Sequence, residues 1–338
     1  MLFDAIDKKL MSKAISVAAR GIPNAFPNPA VGCVICYDNE ILSTGYHQEY
    51  GGKHAEYNAL KKISNTASGL TMYVTLEPCN HKGKTDPCQD LIHSSVFDRI
   101  VIADSDPNQK ASGSIEKLRQ KGIKVDVGLL KKDARKINSR FYTFHEKKRP
   151  YVILKYASTL DGFVADGDGT SKWITNQKSR MQNHYTRSTC DAIIVGRRTA
   201  MLDNPNLGSY GHGKDPKIIV IDPKKSLGRN LNLFKKEPII YSRPILKNSP
   251  VKNVSLIMND LYAKNIKSVL VEGGAKTISS FLDAGLYDEL HCYIAPKFLG
   301  SGLNIFQGQR SINCELELEL IETKIIDNDV RIIYRNLV

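Results

Sequence analysis

The chain holds 338 residues, enough for about two domains at roughly 150 residues each. With 41% apolar and 25% charged residues it reads as a packed, water-soluble protein, neither disordered nor fibrous, and no uncharged apolar run approaches the ~18 residues of a membrane span. Forty-eight basic against 35 acidic side chains give +13, a balance that suits nucleic acid, an anionic surface, phosphorylated small molecules or plain solubility.

Asp4, Asp7, Lys8 and Lys9 interrupt the apolar core that an export signal needs, so the first segment is predicted as an amphipathic helix over 4–20. The expected compartment is the cytoplasm, and the seven cysteines are expected as thiols or metal ligands. Strands follow at 30–37 and 41–46, a helix at 54–63, a strand at 71–75, a helix at 88–95 and a strand at 99–103. A helix at 114–121, a strand at 124–128 and a basic helix at 131–145 complete an α/β sandwich. The charged, proline-ended stretch 146–150 is the predicted linker, separating a domain 1–145 from a domain 151–338. Beyond it, strands at 151–156, 192–195, 217–221, 239–241 and 268–271 with a helix at 176–188 imply a largely parallel sheet. Asp327-Asn328-Asp329 between two apolar runs predicts a terminal hairpin.

The strongest chemical signal is His54-Ala55-Glu56, then Pro78-Cys79, then Cys88. One imidazole and two thiolates suit Zn²⁺, and three protein ligands leave a fourth tetrahedral position for water. Glu56, two residues from His54 at a helix start, is placed to carry protons between water and a departing amine. Zinc deaminases in general pair H-x-E with P-C-x-x-C, whereas here the second cysteine comes nine residues after Cys79. Cys33 and Cys36 lie three apart on a predicted strand, point to opposite faces and are expected in the core.

Pro27-Asn28-Pro29-Ala30-Val31-Gly32, Gly52-Lys53-His54-Ala55-Glu56, Thr75-Leu76-Glu77-Pro78-Cys79 and the run from His81 to Cys88 closely resemble the bifunctional riboflavin-biosynthesis deaminase/reductase family, which has this longer cysteine gap. The resemblance implies a cytidine-deaminase-like α/β/α domain in which zinc-activated water replaces the 2-amino group of a phosphoribosylated diaminopyrimidinone. It makes Asn28, His47, His81 and Lys84 expected substrate contacts.

The second half lacks the dinucleotide fingerprint G-x-G-x-x-G and the P-loop. Its run from Ser268 to Thr277 reads as a strand, a Gly-Gly turn and a helix start, where free N–H groups attract a phosphate. The run from Lys155 to Gly162, Ser171-Lys172-Trp173-Ile174-Thr175 and Asp203-Asn204-Pro205-Asn206-Leu207 resemble the reductase half of the same family. That implies a dihydrofolate-reductase-like α/β domain using NADPH to reduce the ribosyl group to a ribityl chain. Carried over, Ser158, Trp173, Thr199, Asp203 and the stretch Gly274, Ala275, Lys276, Thr277, Ile278, Ser279 and Ser280 are expected NADPH contacts. Lys155, Ser171, Arg187, Leu207 and Glu272 are expected substrate contacts. Tyr210 stands where the family has a phosphate-binding arginine, and His212 or Lys214 is expected to supply that charge.

The competing reading, a nucleic-acid-acting zinc deaminase with a basic accessory domain, explains the charge but neither the Lys155 motif nor the Gly-Gly turn. A structural zinc module would normally supply a fourth Cys or His. The expected partners are thus a phosphoribosylated pyrimidine and further copies of the chain, with no nucleic acid and no membrane.

Overall fold

Asp4 accepts a hydrogen bond from the Asp7 N–H at 2.7 Å while the Asp7 carboxylate accepts from Asp4 N–H at 3.2 Å, a closed capping box that starts α1 (Ala5–Ala18). A computed structural model describes residues 3–22, 24–63, 68–83, 86–246, 249–306 and 317–337; Lys84 and Cys314 lie outside the described residues. Leu10, Met11, Ala14, Val17 and Ala18 form the buried stripe of α1 at helical spacing. The end of the predicted helix tightens into a 3₁₀ turn, Ala19–Gly21.

The first unit then builds β1 (Gly32–Tyr37), β2 (Glu40–Tyr46), α2 (Ala55–Leu60), β3 (Leu70–Val74), β4 (Phe97–Ile102), α3 (Ser114–Gln120), β5 (Lys124–Val127), α4 (Lys131–Ile137) and α5 (Ser139–Glu146). The strand order is β2-β1-β3-β4-β5, with β1 antiparallel to both neighbours and β3, β4 and β5 parallel. α1 and α4 cover one face and α2 and α3 the other. The strand period puts Cys33 in one apolar layer and Cys36 in the other, so both thiols are core residues.

Two expected helices are corrected. The predicted helix 88–95 is only a 3₁₀ turn, Cys88–Leu91, whose first N–H groups are bonded to Cys79: Cys88 N–H to its Sγ at 3.3 Å and Gln89 N–H to its carbonyl at 3.3 Å. The predicted helix 131–145 breaks at Asn138, whose side chain accepts from Ala30 N–H and donates to Ala30 O, both at 2.8 Å.

The chain divides into two units between Lys147 and Lys148. Arg149, in the predicted linker, is buried and bonded through two nitrogens to Asp288, at 2.6 and 2.9 Å. That unit comprises β6 (Tyr151–Thr159), β7 (Phe163–Ala165), α6 (Gln177–Ser188), β8 (Ala192–Gly196), α7 (Arg197–Asp203), β9 (Lys217–Ile221), β10 (Ile239–Tyr241), α8 (Pro250–Ala263), β11 (Ser268–Val271), α9 (Ala275–Asp283), β12 (Glu289–Ala295), β13 (Leu303–Asn304), β14 (Leu318–Ile326) and β15 (Asp329–Asn336). The eight-stranded sheet runs β10-β9-β8-β11-β6-β12-β15-β14, parallel from β10 to β12 and antiparallel at the terminal hairpin. α7, α8 and β12 were not among the predicted elements. Among the described residues no helix is long and apolar enough to cross a membrane.

Candidate active sites

The first site sits where α2 begins. His54 is its N-cap residue, with extended backbone (φ −75°, ψ 170°), so the imidazole leaves the helix end while Glu56 occupies the first turn. Cys79 lies in the loop after β3, and Cys88 opens the 3₁₀ turn. His54 Nδ1 is 3.4 Å from Cys79 Sγ and 3.2 Å from Cys88 Sγ, and the three atoms all fall within 4.8 Å of one another. An imidazole nitrogen with two sulfurs at one point is a donor set that fits Zn²⁺.

Electrostatics agree with that fit. The Cys88 side chain holds the Cys79 thiol down to about 4, and the same contact, with burial, pushes Cys88 up. A bound dication would hold both sulfurs as thiolates. Glu56 is 2% exposed, its Oε2 has no hydrogen-bond partner, and burial raises its carboxyl above the ordinary range. A buried oxygen left in want of a donor beside three ligands is suited to a water molecule.

His47 and Asn28 join this cluster. The His47 ring meets His54 edge-on at 5.2 Å, its Nδ1 lies 3.2 Å from Lys53 O and its Nε2 lies 3.3 Å from Asn28 Nδ2. Burial lowers its pKa, so the ring is neutral, donating from Nδ1 and accepting at Nε2. His81 stands exposed in the loop between the two cysteines.

The second site is a cavity of about 820 Å³ in the second unit. On its α9 side, the Thr199 hydroxyl accepts from Gly274 N–H at 3.0 Å, and Gly274 caps α9 with no side-chain partner for the first turn. Glycine is required at the adjoining turn, since a Cβ on Gly273 would lie 2.4 Å from the Thr277 Cβ. Thr199, Asp203, Trp173, Gly274, Ala275, Lys276, Thr277 and Ser280 all line the cavity. Trp173 is 64% exposed, with the Arg180 guanidinium 4.4 Å above its ring.

Three expected NADPH contacts are not brought to the wall. Ile278 is fully buried in the main apolar core, Ser279 is buried with its hydroxyl donating to Ile305 O at 3.3 Å, and Ser158 is buried on β6. The reason is periodicity. Six consecutive helical residues, Ala275 to Ser280, cannot all face one side, and Ser158, three residues from Lys155 on a strand, points to the opposite face.

Of the expected substrate contacts, Lys155, Ser171, Arg187, Leu207 and Glu272 line the cavity. Leu207 is 2% exposed and is mainly core. Arg187 meets Glu272 in a two-pronged ion pair, Nε–Oε1 2.7 Å and Nη2–Oε2 2.8 Å, and donates from Nη1 to Gly208 O at 3.1 Å. Two of its three guanidinium nitrogens are therefore held by Glu272. Burial pushes the Glu272 carboxyl up, but Arg187 and Lys155 outweigh it and bring it down to about 2. Lys155 Nζ sits 5.2 Å from the Tyr293 ring centre, and burial lowers its pKa against the opposing pull of Glu272.

Tyr210 lines the cavity and stacks on His184 at 4.3 Å, whose pKa burial brings to about 4. His212 and Lys214 are exposed and are not among the lining residues, although the His212 ring lies 6.5 Å from that of His184 on the cavity wall. Sequence reasoning missed Asn183 and His184. The signal was present: Arg180, Asn183, His184 and Arg187 fall at i, i+3, i+4 and i+7, one polar face of α6 turned to the cavity.

Three ligands with a buried acid in one unit, and a glycine-turned helix start over a deep cavity in the other, define a bifunctional enzyme: a cytidine-deaminase-like zinc domain followed by a dihydrofolate-reductase-like NADPH domain. Residues 4–104 match the family model of the cytidine and deoxycytidylate deaminase zinc-binding region, and residues 150–332 that of the RibD C-terminal domain. The chain belongs to the RibD family of riboflavin-biosynthesis deaminase/reductases. It is 37% identical over 353 residues to the riboflavin biosynthesis protein RibD of Aquifex aeolicus (strain VF5), with 98% of each covered. Against the RibD of Escherichia coli (strain K12) it is 33% identical over 326 residues, 87% of this chain and 89% of the other. The solved diaminohydroxyphosphoribosylaminopyrimidine deaminase/5-amino-6-(5-phosphoribosylamino)uracil reductase of Thermotoga maritima superposes with a TM-score of 0.82 at 36% identity, covering 98% of this chain and 99% of that one. Acinetobacter baumannii RibD, form 1, gives 0.84 at 31% identity with the same coverage.

Proposed function

We propose that residues 1–145 hydrolytically deaminate 2,5-diamino-6-(5-phosphoribosylamino)pyrimidin-4(3H)-one. Residues 151–338 then reduce its ribosyl side chain with NADPH to give 5-amino-6-(5-phosphoribitylamino)uracil, and 146–150 join the two. The observation that carries this reading is the convergence of His54 Nδ1, Cys79 Sγ and Cys88 Sγ beside the unpartnered Oε2 of Glu56.

His54, Cys79 and Cys88 would hold the zinc, which when bound supplies a Lewis acid that makes water a nucleophile near neutral pH. Glu56 takes a proton from the attacking water at Oε2 and gives it to the ring nitrogen, then takes the remaining hydroxyl proton and gives it to the departing amino group, so the water oxygen stays as the ring carbonyl and the amino group leaves as ammonia. Its raised pKa suits a group that must both accept and give. The neutral His47 and Asn28 orient the pyrimidine edge, while His81 and Lys84 meet the phosphate.

In the second site Thr199, Trp173, Asp203 and the start of α9 hold the cofactor, and Arg187, Glu272, Ser171 and Lys155 hold the substrate. The ribosyl C1 gains a hydride, its bond to the ring oxygen breaks and that oxygen takes a proton. Lys155 is the donor; burial lowers its pKa and Glu272 opposes that shift. The nucleic-acid alternative gains nothing from this cavity. The resemblance also supports a cytoplasmic homo-oligomer, dimer or tetramer, which sedimentation velocity tests.

The test is metal analysis together with two separate assays, ammonia release from the diamino compound and NADPH oxidation on the deaminated one. About one zinc per chain and turnover in both assays are expected. A chain without zinc, or RNA binding without either turnover, overturns the reading.

A further inference from the structure

Glu77 belongs to the Thr75-Leu76-Glu77-Pro78-Cys79 run, yet neither the metal cluster nor the proton transfer uses it. It is 5% exposed. Its Oε1 accepts from the backbone N–H groups of Gly113 at 2.7 Å, Ser114 at 2.8 Å and Ile115 at 3.3 Å, and from the Ser114 hydroxyl at 3.3 Å. Its Oε2 accepts from Asp106 N–H at 3.0 Å. No lysine or arginine is among these donors. A buried carboxylate satisfied by four backbone N–H groups and one hydroxyl is a geometrically demanding arrangement, since each donor must be aimed at one of two oxygens.

The bonds on either side of Cys79 run to the same segment. Glu77 N–H donates to Asp104 O at 2.9 Å, Asn80 N–H donates to Ala111 O at 2.9 Å, and the Asn80 amide donates to Ser112 O at 3.3 Å. The ligand is thus fastened before and after to residues 104–115, and the carboxylate supplies the largest share of that fastening.

We propose that Glu77 is the positioning residue of the metal centre, a buried carboxylate that clamps the Cys79 loop to residues 104–115 and so sets how tightly the chain retains zinc. It rests on the zinc reading above. A glutamine at this position keeps one acceptor oxygen for the α3 N–H groups and turns an NH₂ against the Asp106 N–H, donor facing donor. The loop must then shift, and Cys79 with it. Partners behind metal ligands commonly govern 10–100-fold in metal affinity.

The experiment compares purified wild type with Glu77→Gln in three readouts: zinc release to a chromogenic chelator, the visible spectrum of the Co²⁺-substituted protein, and ammonia release with and without excess zinc. NADPH oxidation on the deaminated substrate reports whether the chain is folded. Release faster by about 10–100-fold, an altered Co²⁺ spectrum, and ammonia release restored by excess zinc are expected. Release within twofold of wild type with an unchanged spectrum overturns the proposal, as does lost ammonia release with zinc retention intact. Should Glu77→Gln lose both activities through misfolding, Ser114→Ala, which removes one donor from the same carboxylate, must still speed zinc release by about twofold; an unchanged rate there also overturns it. A wild type that binds no zinc removes the metal reading itself, whereas a wild type and variant that hold zinc equally well remove only the role of Glu77.

Discussion

The two sites are assembled over different distances along the chain. In the first, His54 meets Cys79 and Cys88 across 25 and 34 residues, all within segments around α2 and β3. In the second, Arg187 meets Glu272 across 85 residues and Thr199 meets Gly274 across 75, so the cavity exists only once the parallel sheet has brought α6, α7 and α9 to one side. A site made of nearby loops is set by ligand chemistry. One made across a sheet is set by register and by which way each helix faces.

The comparison breaks most readily at Glu56. Glu56→Gln is expected to lower ammonia release by about 10³-fold, about 4 kcal/mol, and to leave NADPH oxidation on the deaminated substrate untouched. A parallel loss in the second assay would mean that the sites are not separable.

Next comes the ion pair. Glu272 ionises at about 2 in the folded chain against an ordinary 4.5, so it contributes about 3 kcal/mol above pH 4.5 that is lost as pH falls toward 2. Acid unfolding of the second unit, followed by circular dichroism, should therefore fall in that window. Arg187→Met should move the transition to higher pH and cost about 3 kcal/mol at neutral pH by stranding a buried carboxylate. No shift would mean that the pair is solvated in solution.

A smaller effect is expected at Thr199→Val, which leaves Gly274 N–H without its acceptor; the KM for NADPH should rise about fivefold, for about 1 kcal/mol. The smallest is none: His212→Ala with Lys214→Ala should leave both reductase KM values within about twofold, because both side chains are exposed and outside the cavity lining. A larger change would return the missing phosphate charge to that loop.

This contrast also explains what could be read in advance. The ligand trio and Glu56 were legible because residue type and spacing carry the chemistry directly. Ile278 and Ser279 were not separable from Thr277 and Ser280, since a contiguous stretch hides the face that each residue takes. Arg187 was legible as a cavity residue but not as the partner of Glu272, a pairing that only the sheet creates. The break at Asn138 had no local signal, because its cause is the backbone of Ala30, 108 residues away. α8 did carry one: Ser249 followed by Pro250 at the first helical position is a helix start. β12 is a buried strand whose apolar run is interrupted by His291.

The buried grip of Arg149 on Asp288 reaches beyond either reaction. Asp288 also accepts from Val152 N–H at 2.8 Å and Tyr151 N–H donates to Lys267 O at 2.8 Å, so the polypeptide is moored from the outset of its second half. A gene cut after the codon for Lys147 should therefore yield a reductase whose leading edge is already tied down. Two short genes could then replace one long one, each product purified and dosed independently.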